Sequence, residues 1–185
     1  MSLRWLPNAL TLSRAGLAVL AGLAVLAGWP LAAFLSFVAA ALSDLFDGLA
    51  ARALNAVSAF GAWFDPIADK LLVGLILLAL CWVQRDALLI VPTAVILIRD
   101  IAVSRWRARL GGGHALPVLR LAKWKTAGEM LAIGLLLGAP LAGGELEGGL
   151  RLAGLACLWL AAVASVLTGL RYARAARTAL STPGT

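Results

Sequence analysis

Four aspartates stand in the run Asp44-x2-Asp47-Gly48-x2-Ala51-Arg52-x8-Gly61-x3-Asp65-x3-Asp69. Residues three or four apart share one face of a helix, so this spacing makes two carboxylate pairs, Asp44 with Asp47 and Asp65 with Asp69. A short connection between the two segments predicts an antiparallel helical hairpin, with the four carboxylates facing one another. Their mutual repulsion calls for cations. Hard oxygen donors favour Mg²⁺, with Mn²⁺ or Ca²⁺ as alternatives. Two ions sharing carboxylates is an arrangement suited to phosphoryl chemistry. Gly48 and Ala51 leave room for a ligand or a close helix approach, and Arg52 can grip a phosphate with two parallel hydrogen bonds. Gly61 lets a backbone or a nucleotide come near. The plain alternative is a set of helix-end aspartates at a water interface. It suits any one of them but not all four at this spacing with the Gly and Arg between.

A second group is basic. Arg99 and Arg107 lie eight residues apart, about two helical turns, and share a face. With Lys123 or Lys125 they could hold a doubly charged phosphate. Lys123 and Lys125 fall on different sides of a helix, so one would serve the site and the other snorkel to headgroups. The competing account is charge placed for topology and headgroup contact. Arg105, Arg109, Arg120, Arg171, Arg174 and Arg177 are assigned to it. His114 reads as a solvated loop residue, and Cys81 and Cys157 as packing residues without redox or metal-ligand spacing.

The elements that carry these residues are membrane spans. Of 185 residues, 62% are hydrophobic and 14% charged, too apolar for a soluble domain. The net charge of +7 would suggest nucleic acid in a soluble chain. Here the basic residues sit in short loops between apolar runs, and no nucleic-acid partner is expected. Seven tryptophans suit interfacial anchors. Six segments reach the length of roughly 20 residues that a bilayer requires: 8–27, 31–53, 60–83, 88–108, 121–142 and 150–172. The fold expected is an all-α integral membrane bundle of six transmembrane helices, one domain over 1–180 with a loose tail at 181–185. An N-terminal signal peptide is the lesser reading of the start, since the apolar run is long and Asn8, Thr11, Ser13 and Arg14 interrupt it.

An even number of spans puts both termini on one side. Of sixteen Lys and Arg, only Arg85 and Arg151 lie in loops of the opposite side. The other fourteen mark the side of the termini as cytoplasmic. The uncharged stretches Pro30–Ser43, Leu71–Val83 and Leu88–Ile98 are too short to span, at 14, 13 and 11 residues. They reach full length only by taking in Asp44 and Asp47, Asp65 and Asp69, or Arg99 and Asp100. Charge at membrane depth is costly unless it faces a cavity or a partner. Five helices therefore point polar residues at one polar cavity open to the cytoplasmic side.

The aspartate run matches every fixed position of the CDP-alcohol phosphatidyltransferase signature, and the chain resembles that family over nearly its whole length, including Pro7-Asn8-x2-Thr11-x2-Arg14. The resemblance implies transfer of the phosphatidyl group of a CDP-linked lipid to an alcohol, with release of CMP. It implies two ions, Mg²⁺ or Mn²⁺, on Asp44, Asp47, Asp65 and Asp69. It implies CDP contacts at Asn8, Thr11, Asp47, Gly48, Ala51, Arg52 and Gly61. A homodimer in the inner (plasma) membrane is also implied.

Within the family, Ile98-Arg99-Asp100-x2-Val103-Ser104-x2-Arg107 and Lys123-Trp124-Lys125-Thr126 with Glu129 look like the bacterial branch that converts CDP-diacylglycerol and glycerol 3-phosphate to phosphatidylglycerophosphate. Arg99, Arg107, Lys123, Lys125 and Thr126 are then the acceptor-phosphate candidates. Asp100 stands where that branch usually has Glu, and Glu129 where it usually has Gln. The Arg-Asp pair also resembles the cardiolipin-forming branch, whose acceptor is phosphatidylglycerol. Asp69 is the candidate general base, made more basic by its carboxylate neighbours. From another class, a divalent-cation channel or carrier would use membrane carboxylates too. It predicts acids reaching both faces, whereas the far halves of the second and third segments are apolar.

Overall fold

The computed structural model describes the backbone of residues 6–54, 59–109 and 120–181, and the side chains of 12–43, 70–106 and 124–174. It is all-helical, with six helices: α1 Leu6–Leu26, α2 Pro30–Leu54, α3 Ala59–Gln84, α4 Ala87–Arg109, α5 Arg120–Ala142 and α6 Gly144–Ser181. Five of them match the expected segments to within two residues. The exception is α6, which begins at Gly144 and runs for 38 residues. The Gly148-Gly149 stretch expected as loop is helix. Glu145 and Glu147 in its first turn supply the negative charge that a helix N-terminus favours. Ser181, expected to open the loose tail at 181–185, is the last residue of α6; residues 182–185 and the loop carrying His114 lie outside the described residues.

The turns are set by local chemistry. Gly28 takes φ +72°, and its N–H and that of Trp29 return to Val25 O and Ala24 O at 3.1 and 2.9 Å. This paired closure ends α1 with a left-handed residue that glycine adopts without steric cost. Pro30 then opens α2, where its missing N–H costs nothing. At the α3–α4 turn, Asp86 Oδ1 accepts the N–H of Leu88 at 2.9 Å and caps α4. Pro92 sits inside α4 and cannot donate to Leu88 O. That carbonyl instead accepts Trp159 Nε1 of α6 at 3.0 Å. A broken helical bond thus becomes a tie between helices.

Helix α1 packs on both α2 and α3, α6 on both α4 and α5, and α2 meets α5 between the two groups. Among the described residues α2 and α3 pack chiefly against α1 and share little contact with each other. The close hairpin expected from the sequence is therefore not seen in their described halves, and the halves that carry the aspartates lie outside the side chains described. Small residues line the contacts: Ala18, Ala21 and Ala24 on α1, and Ala33 and Ala40 around Phe37 on α2, are buried. They let helix backbones approach closely, as membrane bundles require. At Gly154 an added Cβ would come within 2.9 Å of Leu136 Cγ, so α5 and α6 meet there with no room to spare.

The outer surface is apolar. Leu20, Leu23, Leu31, Leu78, Ile98, Leu131, Leu152, Leu160 and Val163 are all exposed, which fits hydrocarbon and not water. Three stretches among the described residues are long and apolar enough to cross a membrane: Ala87–Trp106, Trp124–Ala142 and Gly144–Arg174. This is a membrane protein.

Candidate active site

Asp44 and Asp47 lie within the continuous helix α2, and Asp65 and Asp69 within α3. The helical state that makes each pair share a face is therefore present. Gly48, Ala51 and Arg52 follow on α2, Gly61 precedes the second pair on α3, and Asn8 and Thr11 are in the first turns of α1. The side chains of all these residues lie outside those described, as do those of Arg107 on α4 and Lys123 on α5.

The described part of the site begins one residue past Asp69. Lys70 Nζ donates to Ser104 Oγ and ties α3 to α4. Ser104 Oγ in turn donates to Asp100 O at 2.7 Å. The Asp100 side chain gathers two cations. Arg99 Nη1 reaches Oδ1 at 2.9 Å, and Lys125 Nζ reaches Oδ1 and Oδ2 at 2.7 and 2.8 Å. Glu129, one turn along α5, puts Oε1 3.0 Å from Lys125 Nζ, a charge contact off the line of a hydrogen bond. Arg99 continues to α6, where Nη2 donates to Thr168 Oγ1 at 2.9 Å. Three helices are thus joined through one mixed-charge cluster.

Burial decides what this cluster is. The Lys125 side chain is 4% exposed and that of Glu129 3%. Charges so far from water persist only when paired and hydrogen-bonded. Of the two lysines offered for the site, Lys125 turns inward, while its neighbour Trp124 is 76% exposed. Arg99 and Lys125 do come together, as the sequence suggested, but around the carboxylate of Asp100. Thr126 stands exposed on α5. Arg14 of α1 is 1% exposed, a deeper burial than its place at the start of the first segment suggests.

Sequence reasoning missed α6. Ser165, Thr168 and Tyr172 are all buried, and they recur at the i, i+3, i+7 spacing of one helix face. A polar stripe on an otherwise apolar span was the available signal.

An all-helical membrane bundle with paired aspartates on two helices and buried basic residues on two others defines the class. The chain belongs to the CDP-alcohol phosphatidyltransferase family, whose model matches residues 4–170. A relative from Rickettsia felis is 38% identical over 176 residues, covering 93% of this chain and 95% of its own. One from Escherichia coli K12 is 35% identical over 178 residues, covering 93% and 94%. One from Rickettsia typhi is 40% identical over 145 residues, covering 78% and 79%. All three are named CDP-diacylglycerol–glycerol-3-phosphate 3-phosphatidyltransferase.

Proposed function

We propose that this protein transfers the phosphatidyl group of CDP-diacylglycerol to glycerol 3-phosphate, forming phosphatidylglycerophosphate and CMP. The observation that carries this reading is the near full-length likeness to relatives bearing that name. It favours glycerol 3-phosphate over phosphatidylglycerol as acceptor, and an enzyme over a cation channel.

The acceptor's hydroxyl oxygen attacks the β-phosphorus, the one that bears diacylglycerol. The new P–O bond forms as the bond to the CMP phosphate breaks, and CMP leaves with the electron pair. Asp69 takes the hydroxyl proton. Asp44, Asp47, Asp65 and Asp69 form an all-oxygen donor set that suits two ions of Mg²⁺ or Mn²⁺. When bound, such ions would neutralise the diphosphate and the charge developing on the leaving group. Asn8, Thr11, Gly48, Ala51, Arg52 and Gly61 hold the CDP moiety. Arg99 and Arg107 take the acceptor phosphate, and Lys125, bonded to both oxygens of Asp100, holds the carboxylate that in turn holds Arg99. Lys123 and Thr126 are further phosphate candidates.

All six helices cross the inner membrane in this reading, with both termini and the polar cavity cytoplasmic. The shorter apolar stretches Leu12–Leu26, Pro30–Ser43 and Lys70–Gln84 support it, since each belongs to a longer helix. The molecule works as a homodimer.

The test offers the purified protein CDP-diacylglycerol with glycerol 3-phosphate, phosphatidylglycerol, serine or inositol phosphate, and follows CMP. Turnover should require glycerol 3-phosphate, vanish with chelator and return with Mg²⁺ or Mn²⁺. Arg107→Ala should raise the KM for glycerol 3-phosphate about ten- to hundredfold, the worth of a charge-assisted hydrogen bond. Robust cardiolipin synthesis, or full activity in excess chelator, would overturn the proposal.

A further inference from the structure

Arg99 is seated on α6 by three consecutive features. Its Nη2 donates to Thr168 Oγ1 at 2.9 Å. Its Cζ lies 5.4 Å from the centre of the Tyr172 ring, within reach of a cation–π attraction. Its Cγ passes over Gly169, where an added Cβ would come within 3.1 Å. Thr168 and Tyr172 are 0% and 2% exposed, so the seat is buried.

The polarity of the seat is fixed. The Thr168 hydroxyl has its own helix carbonyls at 2.8 Å, Ala164 O, and 3.1 Å, Ser165 O. Its single proton goes to them, and its oxygen meets Arg99 as acceptor alone. On the opposite side Nη1 donates to Asp100 Oδ1 at 2.9 Å. A guanidinium is a planar fork of five N–H groups. Held at both terminal nitrogens and over a ring, it presents its remaining N–H groups in fixed directions within its plane. The Nε of Arg99 is buried and has no hydrogen-bond partner among the described residues.

We propose that the Thr168-Gly169-Tyr172 face of α6 positions the Arg99 guanidinium for the acceptor's phosphate and so helps set which alcohol is used. This rests on the reading that Arg99 contacts that phosphate. Thr168, Gly169 and Tyr172 are positioning residues: they touch Arg99 and act through it. Arginine loses side-chain freedom when it binds, and a seat that has already removed that freedom strengthens the bond to phosphate. The gain falls on the acceptor alone, since CDP-diacylglycerol is held by the α1–α3 residues.

The experiment measures KM for each substrate in Thr168→Val, Thr168→Ser, Gly169→Ala and Arg99→Ala of the full-length protein. Thr168→Val keeps the shape and removes the acceptor oxygen. It should raise the KM for glycerol 3-phosphate about tenfold and leave the KM for CDP-diacylglycerol within about twofold. Thr168→Ser keeps the oxygen and should restore parent behaviour. Gly169→Ala displaces Arg99 by a different route and should move the same KM, which keeps the test open if Thr168→Val fails to fold. In an Arg99→Ala background the α6 substitutions should add little. Should Arg99→Ala raise the glycerol 3-phosphate KM while folded Thr168→Val and Gly169→Ala leave it unchanged, the seat is overturned and the acceptor reading survives. The seat also fails if both KM values rise together. An unchanged glycerol 3-phosphate KM in Arg99→Ala would remove the acceptor role of Arg99, and the seat with it.

Discussion

The two ends of α4 each pair an aspartate with an arginine, and the shorter contact is the less consequential one. At the N-terminal end Asp86 Oδ2 meets Arg151 Nη2 at 2.6 Å, with the side chains 24% and 45% exposed. Toward the other end Asp100 meets Arg99 at 2.9 Å and Lys125 at 2.7 Å. Solvent screens the first pair, and such pairs contribute about 0–1 kcal/mol. The second belongs to a desolvated group in which losing one member strands the others. Distance does not rank these pairs; burial and the number of shared partners do. A membrane bundle can afford buried charge only where something requires it, and apart from Arg14 of α1 the described buried charge gathers on α4 and α5, the helices that carry the acceptor candidates.

The strongest way to break this comparison is to remove the two aspartates separately. Asp100→Ala leaves Lys125 with Glu129 as its one charged partner among the described residues and releases one terminal nitrogen of Arg99. A loss of about 3–5 kcal/mol is expected for a buried pair broken from one side, read as unfolding in mixed micelles, together with loss of turnover. Asp86→Asn should cost far less. Equal stability of the two variants would show that the buried cluster is hydrated and its charges are screened like those at the other end.

A second substitution asks whether charge or packing holds α5 to α6. Gly154→Val puts a branched side chain where a Cβ alone would lie 2.9 Å from Leu136 Cγ. Overpacking of this kind costs about 1–3 kcal/mol. The same unfolding measurement should rank it below Asp100→Ala. The reverse order would make the small-residue contact the stronger tie.

The sequence showed one half of the site better than the other, for a physical reason. The aspartate run is local: about one helical turn on each of two successive segments holds a pair, and spacing alone reveals the pairs. The apolar spans are equally local, and five helices match their expected limits. The Arg99 cluster is assembled by tertiary contact. Arg99 and Thr168 are 69 positions apart, and Asp100 and Lys125 are 25 apart. Helical spacing places Glu129 one turn from Lys125, but nothing in the pattern says that Asp100, the other departure from the expected family residues, faces Lys125 as well. The extension of α6 to Gly144 was hidden by glycines that read as loop, although two glutamates in the first turn argued otherwise.

Those two departures yield a finer test. Glu129→Gln removes a carboxylate beside Lys125 while leaving an amide oxygen to accept from it. The cluster around Arg99 then carries one negative charge fewer, and the KM for glycerol 3-phosphate should fall by up to about fivefold, equivalent to about 1 kcal/mol. The KM for CDP-diacylglycerol should stay constant. A rise in the glycerol 3-phosphate KM would mean that Glu129 is needed to hold Lys125 in place and not merely tolerated there.

The smallest effect belongs to Arg151. Asp86 has two partners, one on each oxygen: the N–H of Leu88 on Oδ1 at 2.9 Å and Arg151 on Oδ2 at 2.6 Å. The cap needs only the first. Arg151→Ala removes a half-exposed cation and leaves the carboxylate in water at the helix N-terminus, where its negative charge is still favoured. The expected cost is below about 1 kcal/mol, shrinking further at high salt. Asp86→Ala removes both the cap and the ion pair, and a lost cap typically costs about 1 kcal/mol. The two variants should therefore differ by the worth of the cap, and neither should move the KM of either substrate. Unfolding of both at low and high salt checks this. If Arg151→Ala proved as damaging as Asp86→Ala at both salts, the ion pair would be the dominant fastening between the α3–α4 turn and α6, and exposure would no longer explain the difference between the two ends of α4.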